Sequence, residues 1–244
     1  MKSDVKISII TVVYNGATYL EKTIQSILNQ TYDNLEYIII DGGSIDGTID
    51  IIKKYEDKIS YWISEKDAGI YDAMNKGIDI SSGDYINFLN AGDSFADYYV
   101  LERIFNNQEM LLYDLVYGPA IVTGGKKEVL LHPKKFTKFN LYLWNTRVVC
   151  HQAIFIKREE IVKYTLKYKL KGELNWYLDL VEKVDKVLIV DFPIVYYSLG
   201  GTGDMNYKLN TIESIKVVYG RNKLFASLSL PVIIYKYFKK VLNK

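Results

Sequence analysis

Four short polar clusters interrupt the apolar first part of the chain, each just after a strand-like run: Tyr14-Asn15, Asp41-Gly42-Gly43-Ser44, Glu65-Lys66-Asp67 and Asn90-Ala91-Gly92-Asp93. A strand-end carboxylate such as Asp41 only accepts hydrogen bonds, so it suits a heterocyclic base edge that presents a donor. Beyond Asp67, Gly69 opens a helical pattern bearing Asp72, Asn75 and Lys76. The free N–H groups and dipole of such a helix start favour a diphosphate. Asp93 and Asn90 supply oxygen donors of the kind that hold magnesium or manganese. In the second half, Glu173 follows Gly172 ahead of a helical stretch, and a carboxylate fixed there can take a proton from a hydroxyl. His151-Gln152 is a polar pair inside the apolar run VVCHQAIFI. Each of these residues also has a structural use. Asp41, Ser44 or Asp46 can cap a helix, Asp93 can close a turn, Lys76 can lie on a solvated helix face, and His151 can be a satisfied core residue.

The elements that must position these groups alternate. KISIITVV (6–13) and LEYIII (35–40) read as buried strands, followed by a short strand over 61–64 and YINFL over 85–89. Between them, 17–30 places Leu20, Ile24, Ile27 and Leu28 at helical spacing, and 48–55 and 69–80 are helical too. Strand–helix alternation implies a mainly parallel sheet with crossover helices, whose ligands sit beyond the carboxyl ends of the strands. The second half is less regular. A hairpin is expected over 115–131 around Gly124-Gly125, a strand over 153–157, a helix over 175–183, more strand over 187–198 and a long helix over 206–225.

Composition narrows the class. The chain has 244 residues, 49% apolar and 25% charged, with a formal net charge of +2. That is an ordinary packed globule, and the charge is too small to imply a nucleic-acid partner. The single cysteine, Cys150, excludes an internal disulfide and points to a reducing compartment. No signal peptide is visible, and no apolar run reaches the ~20 residues of a spanning helix. The expected location is the cytoplasm.

The run ISIITVVYNGATYLEKTIQSILNQTYDNLEYIIIDGGSIDGT resembles the opening of family 2 glycosyltransferases, whose fold is named GT-A. DAGIYDAMNKG, INFLNAGD, HQAIF and YYSLGGTG resemble a bacterial subgroup that builds O-antigens, capsules and other surface polysaccharides. The resemblance covers roughly residues 6–204 and implies an α/β sandwich with helices on both faces of a mainly parallel sheet. It implies an inverting transfer of a sugar from a UDP-sugar to a glycan or polyprenyl-diphosphate-linked acceptor. On that pattern Asp41 accepts the uracil imide N–H, Tyr14 stacks on the base and Thr11 contributes backbone contacts. Asp67, Lys76 and the start of the helix face the nucleotide. Asn90 and Ala91 belong to the metal-binding DxD segment, Asp93 is its retained carboxylate, and the cofactor is a divalent cation, Mn or Mg. Glu173 is the general base, and His151 faces metal, diphosphate or acceptor. The sequence departs from the family where Met74 replaces a common arginine, where Asn90 and Gly92 replace two DxD carboxylates, and where glutamate replaces the usual aspartate at 173. A nucleotidyltransferase would need a Gly-rich basic loop in place of Tyr14-Asn15-Gly16. A catalytically silent glycan- or nucleotide-binding relative is the alternative that the lost carboxylates favour.

Residues 1–223 are expected to form the catalytic domain, with 224–244 as a basic amphipathic tail. The tail sets Lys236, Lys239, Lys240 and Lys244 beside Tyr235, Tyr237 and Phe238. Such a segment can lie in the interface of an anionic membrane, which adds a possible peripheral contact with the inner face of the plasma membrane.

Overall fold

A computed structural model describes residues 4–125, 127–199 and 206–242. The anticipated Gly200-Gly201-Thr202-Gly203 loop and Lys244 lie outside the described residues, as do the side chains of Lys236, Lys239 and Lys240. The large sheet has seven strands in the order β10-β6-β9-β4-β1-β2-β3. These are β1 (Ile7–Val13), β2 (Leu35–Asp41), β3 (Tyr61–Ser64), β4 (Tyr85–Phe88), β6 (Leu115–Tyr117), β9 (Ile154–Lys157) and β10 (Val187–Ile189). β1 to β4 pair in parallel, β10 runs parallel to β6, and β9 alone is antiparallel to both its neighbours. A second sheet of β5 (Ser94–Phe95), β7 (Ala120–Thr123), β8 (Val129–Leu131) and β11 (Val195–Ser198) takes the order β5-β11-β7-β8.

Both faces of the large sheet are buried, which explains the continuous β-branched runs. Ile10, Val12, Ile38 and Ile40 pack with α3 (Ile70–Ile80) and α6 (Gly172–Leu180). Ile7, Ile9, Tyr37 and Ile39 pack with α1 (Leu20–Leu28), α2 (Thr48–Lys54) and α4 (Val100–Phe105). Alternation at period two along β1 and β2 therefore feeds two cores, one on each face. The α/β architecture with helices on both faces stands.

Three expected elements are divided. The strand over 115–123 breaks at Gly118-Pro119, leaving β6 in the large sheet and β7 in the small one. The strand over 187–198 breaks at Asp191-Phe192-Pro193 in the same way, giving β10 and β11. Proline has no N–H to give a ladder, so each break suits a change of sheet. The long helix ends as α7 (Tyr207–Arg221), and α8 (Lys223–Leu242) follows. Asn222 is extended between them, and its Oδ1 accepts from the N–H groups of Leu224 and Phe225 at 3.0 and 3.1 Å, an N-cap that restarts the helix. α8 docks through Ala226, Ser229 and Ile233, all buried, and Phe225 stacks on Tyr142 of α5 (Lys138–Trp144) at 4.9 Å. Ala226 and Ile233 join the same core as α6. Among the described residues no helix is long and apolar enough to cross a membrane.

Candidate active site

The polar clusters converge at the carboxyl ends of β1, β2, β3 and β4, as the alternation requires. Asp41 ends β2 opposite Ser64 of β3 and is fully buried. Its Oδ2 accepts from Ser64 Oγ at 2.6 Å, Ser44 N at 2.9 Å and Gly43 N at 3.1 Å, and its Oδ1 from Ser44 Oγ. That corrects the expected base contact. The carboxylate is saturated by its own chain and presents no free oxygen. The groups that face outwards are its neighbours. A Cβ built on Gly42 would lie 2.6 Å from Asp67 Oδ2 and 3.4 Å from Tyr14 Cδ2. Tyr14 is 65% exposed, and half-buried Asp67 commits among the described residues only Oδ1, to Gly69 N at 2.8 Å. An aromatic face, a bare backbone and a carboxylate oxygen thus meet at Gly42.

Thr11 needs a second correction. It is buried within β1, its Oγ1 donates to Leu89 O at 2.7 Å, and Tyr37 OH donates to it at 3.2 Å. Its backbone is paired with Ile39, so it braces the sheet and offers a ligand nothing. Lys76 projects from α3 but is ion-paired with Glu65 at 2.6 Å, and Asp72 lies at 3.8 Å. Its ammonium is held in the charged form chiefly by the Glu65 hydrogen bond, and a phosphate would have to compete with that carboxylate. Lys66 is exposed on the loop before it.

Asp93 lies just before β5 and is 5% exposed. Its Oδ1 accepts from Ser198 N at 2.9 Å and its Oδ2 from Gln152 Nε2 at 2.9 Å. Burial pushes its carboxyl up to about 7, against those two hydrogen bonds and the charge of Lys22. Asn90 Oδ1 is buried without a partner, and Ala91 packs its methyl toward Gly16. Asn90 and Asp93 share one turn, and a carboxylate with no ion pair among the described residues together with an amide oxygen that has no hydrogen-bond partner are oxygen donors of the kind a hard divalent cation takes. No three His, Cys, Asp or Glu side chains gather among the described residues, so phosphate oxygens and water would supply the remaining ligands. Gln152 and Ser198 hold Asp93 from 59 and 105 residues away in sequence, and neither is legible as a partner without the fold.

Glu173 stands in the first turn of α6, half-buried, and Tyr177 OH donates to its Oε1 at 2.7 Å. Tyr71 of α3 reaches across to the start of α6, its ring lying against Gly172, and burial followed by the charge of Glu173 raises its hydroxyl above the ordinary range. Tyr71 stacks on Tyr164 at 5.3 Å, and Tyr164 on Trp176 at 4.7 Å, so an aromatic wall backs the carboxylate. Sequence spacing pointed to neither Tyr71 nor Tyr177 as a partner of Glu173, although Tyr177 lies one helical turn from it.

His151 belongs to that wall. It is 7% exposed, stacks on Phe88 at 5.3 Å, and shares a 2.6 Å hydrogen bond between Nε2 and Tyr164 OH. Burial lowers its pKa against the opposing charge of Glu173, so it is neutral and committed. The expected contact with metal, diphosphate or acceptor gives way to a structural role. The turn it occupies still matters, because Gln152 holds Asp93 and both Asp93 and Glu173 act electrostatically on Cys150. Both carboxylates therefore lie near this turn, Asp93 through its hydrogen bond from Gln152.

Known proteins resemble this chain in sequence and fold. The profile described as "Glycosyl transferase family 2" matches residues 8–165. A PGL/p-HBAD biosynthesis glycosyltransferase of Mycobacterium bovis is 32% identical over 182 residues, covering 69% of this chain and 67% of that protein. An uncharacterized glycosyltransferase of Haemophilus influenzae is 29% identical over 189 residues, covering 75% of this chain and 74% of that protein. Among solved structures, S. aureus TarS 1–349 superposes with a TM-score of 0.68 at 14% identity, over 88% of this chain and 65% of its own. TarS is also solved with UDP-GlcNAc, at a TM-score of 0.64. The mannosyltransferase PcManGT of Pyrobaculum calidifontis, in complex with GDP-Man and Mn2+, superposes with a TM-score of 0.64 at 13% identity, over 89% of this chain and 65% of its own. These likenesses show the GT-A fold, and the chain spans just under two thirds of those solved proteins. With more than half of its length matched by the family profile, the chain belongs to glycosyl transferase family 2.

Proposed function

We propose that the chain transfers a hexosyl group from a UDP-sugar to a hydroxyl of a glycan or polyprenyl-diphosphate-linked acceptor, with inversion, in bacterial surface-polysaccharide assembly. Residues 1–223 carry the reaction, and 224–244 form a segment docked on them. The observation behind this reading is the pair of differently held carboxylates near one turn: Asp93, which accepts from Gln152, and Glu173, which accepts from Tyr177, both close enough to act on residue 150. Glu173, with Oε1 taken by Tyr177, takes the acceptor hydroxyl proton on Oε2. The acceptor oxygen then bonds to the anomeric carbon as the bond from that carbon to the diphosphate oxygen breaks, and UDP departs. A divalent cation held by Asp93 and Asn90 would neutralise charge on the diphosphate. Peripheral residence on the inner face of the plasma membrane suits a lipid-linked acceptor.

Base recognition moves from Asp41 to Asp67. Tyr14 stacks on the base, Gly42 lets the base approach the backbone, and Asp67 Oδ2 accepts its N–H. Thermal shift with UDP, GDP and ADP at equal concentration tests this, since a ligand stabilises according to its concentration over its dissociation constant. UDP should give the largest shift. Asp67→Asn should weaken UDP by about 1–3 kcal/mol without lowering the melting temperature of the free protein. Asp41→Asn should lower that melting temperature whatever nucleotide is present. Equal shifts with all three nucleotides would end the assignment.

A further inference from the structure

The last helix is apolar on two opposite sides. One side is the docked stripe of Ala226, Ser229 and Ile233. The other faces outwards and carries Leu224 (74% exposed), Leu228 (57%), Ile234 (43%), Tyr235 (65%) and Phe238 (55%). Positions 224, 228, 235 and 238 fall on one helical face at spacings of four, seven and three, and exposed Pro231 lies on the same line. α5, which packs against α8, leaves Phe139 57% exposed as well. A docked helix that keeps a second apolar stripe exposed is suited to a further core or to the interface of a membrane.

Charge decides between those occupants. Residues 206–244 hold eight Lys or Arg against one acid, Glu213, whereas the preceding residues hold 23 basic against 28 acidic side chains. A second copy seated on this face would bring a second basic segment against the first. An anionic lipid surface is complementary to it, and tyrosine and phenylalanine beside lysines suit the headgroup boundary. We propose that the outward face of α8 is an interfacial docking face for anionic phospholipid, with the helix lying in the membrane plane while its other side stays on the domain. This deepens the membrane residence proposed above by assigning it to one face. It rests on that reading only for why the acceptor would be found there.

The test uses the full chain, because deleting α8 would strip Ala226 and Ile233 from the core. The protein should co-sediment with phosphatidylcholine vesicles that contain phosphatidylglycerol, not with phosphatidylcholine alone, and raised salt should release it. Leu228→Glu with Tyr235→Glu should cut binding about tenfold or more, since each change removes an apolar contact and adds a repelled charge. The variant's melting temperature and UDP shift should be unchanged, because both side chains point away from the core. Phe238→Trp is a second, conservative probe, and its added emission should move to the blue on anionic vesicles. Neither readout uses donor turnover, so a failure here leaves the transferase reading untouched, and an inactive enzyme that still binds vesicles leaves this one standing. Equal sedimentation with neutral vesicles, undiminished binding by the glutamate variant, or a dimer in solution that the same variant dissolves would each overturn the proposal.

Discussion

Gly172→Ala tests whether the aromatic wall fixes the base. A Cβ at Gly172 would lie 2.6 Å from Tyr71 Cε2, 2.7 Å from Cδ2 and 3.0 Å from Cζ. Non-bonded carbons settle about 3.5–4.0 Å apart, so roughly 1 Å of retreat is required. Tyr71 yields poorly, being buried and stacked on Tyr164 at 5.3 Å. The first turn of α6, which carries Glu173, must move instead. Overpacking of this kind costs about 1–3 kcal/mol, offset by up to ~1 kcal/mol for alanine in a helix. The net, about 1–2 kcal/mol, should lower the melting temperature by a few degrees. A base displaced by ~1 Å should lose on the order of 10²-fold in single-turnover transfer, with the UDP shift unchanged. Gly220→Ala is the control: its Cβ would meet nothing within 4 Å, so stability should hold or rise and turnover should stay. Normal transfer by Gly172→Ala would refute the reasoning that Tyr71 and α6 position Glu173.

Glu173→Gln keeps the size of the side chain but cannot take a proton, so turnover should fall by ~10²–10⁴-fold with UDP affinity unchanged, and a normal rate would place the base elsewhere. Manganese should raise the melting temperature of the UDP complex, and chelator should lower turnover. Asp93→Asn should abolish the manganese increment, and full activity in excess chelator would remove the metal role. At Glu36 burial opposes ionisation, but hydrogen bonds from Lys6, Ser8 and Ser82 outweigh it and hold the carboxyl down to about 2. Its folded pKa lies below its unfolded value of 4.5, so its stabilisation is present above pH ~4.5 and is lost as pH falls toward 2. Glu36→Gln should cost on the order of 2 kcal/mol at neutral pH, the half-exposed Lys6 partner reducing the full linkage value, and the gap should close toward pH 2. A gap that does not change with pH would mean packing, not charge, holds that site.

The first four strands were legible because both faces of the large sheet are buried, so β1 and β2 read as unbroken β-branched runs. The strands of the second half were legible as strands but not as members of two sheets. Gly118-Pro119 and Asp191-Phe192-Pro193 mark the breaks, yet which sheet each fragment joins depends on partners far off in sequence: β10 on β6, and β11 on β7. α8 shows the same limit. Its basic, aromatic composition was plain, whereas its opposite stripe docks because α5 and α7 offer it a surface, which no local spacing records.

The site shows why residue type and position can be read while engagement cannot. Asp41 stands at a strand end, and that much follows from the pattern. Whether its oxygens face a ligand or its own chain depends on Ser44 turning back three residues later and on the β2–β3 register that sets Ser64 opposite it. With those donors in place, the carboxylate ties the ends of two strands together and fixes the loop from Gly42 to Ser44. Gly42 is then held between Tyr14 and Asp67, where any side chain would strike Asp67 Oδ2. On the proposed reading, Asp41 acts on the nucleotide through the shape of the loop, and the carboxylate left to touch the base is Asp67, which among the described residues has one oxygen committed.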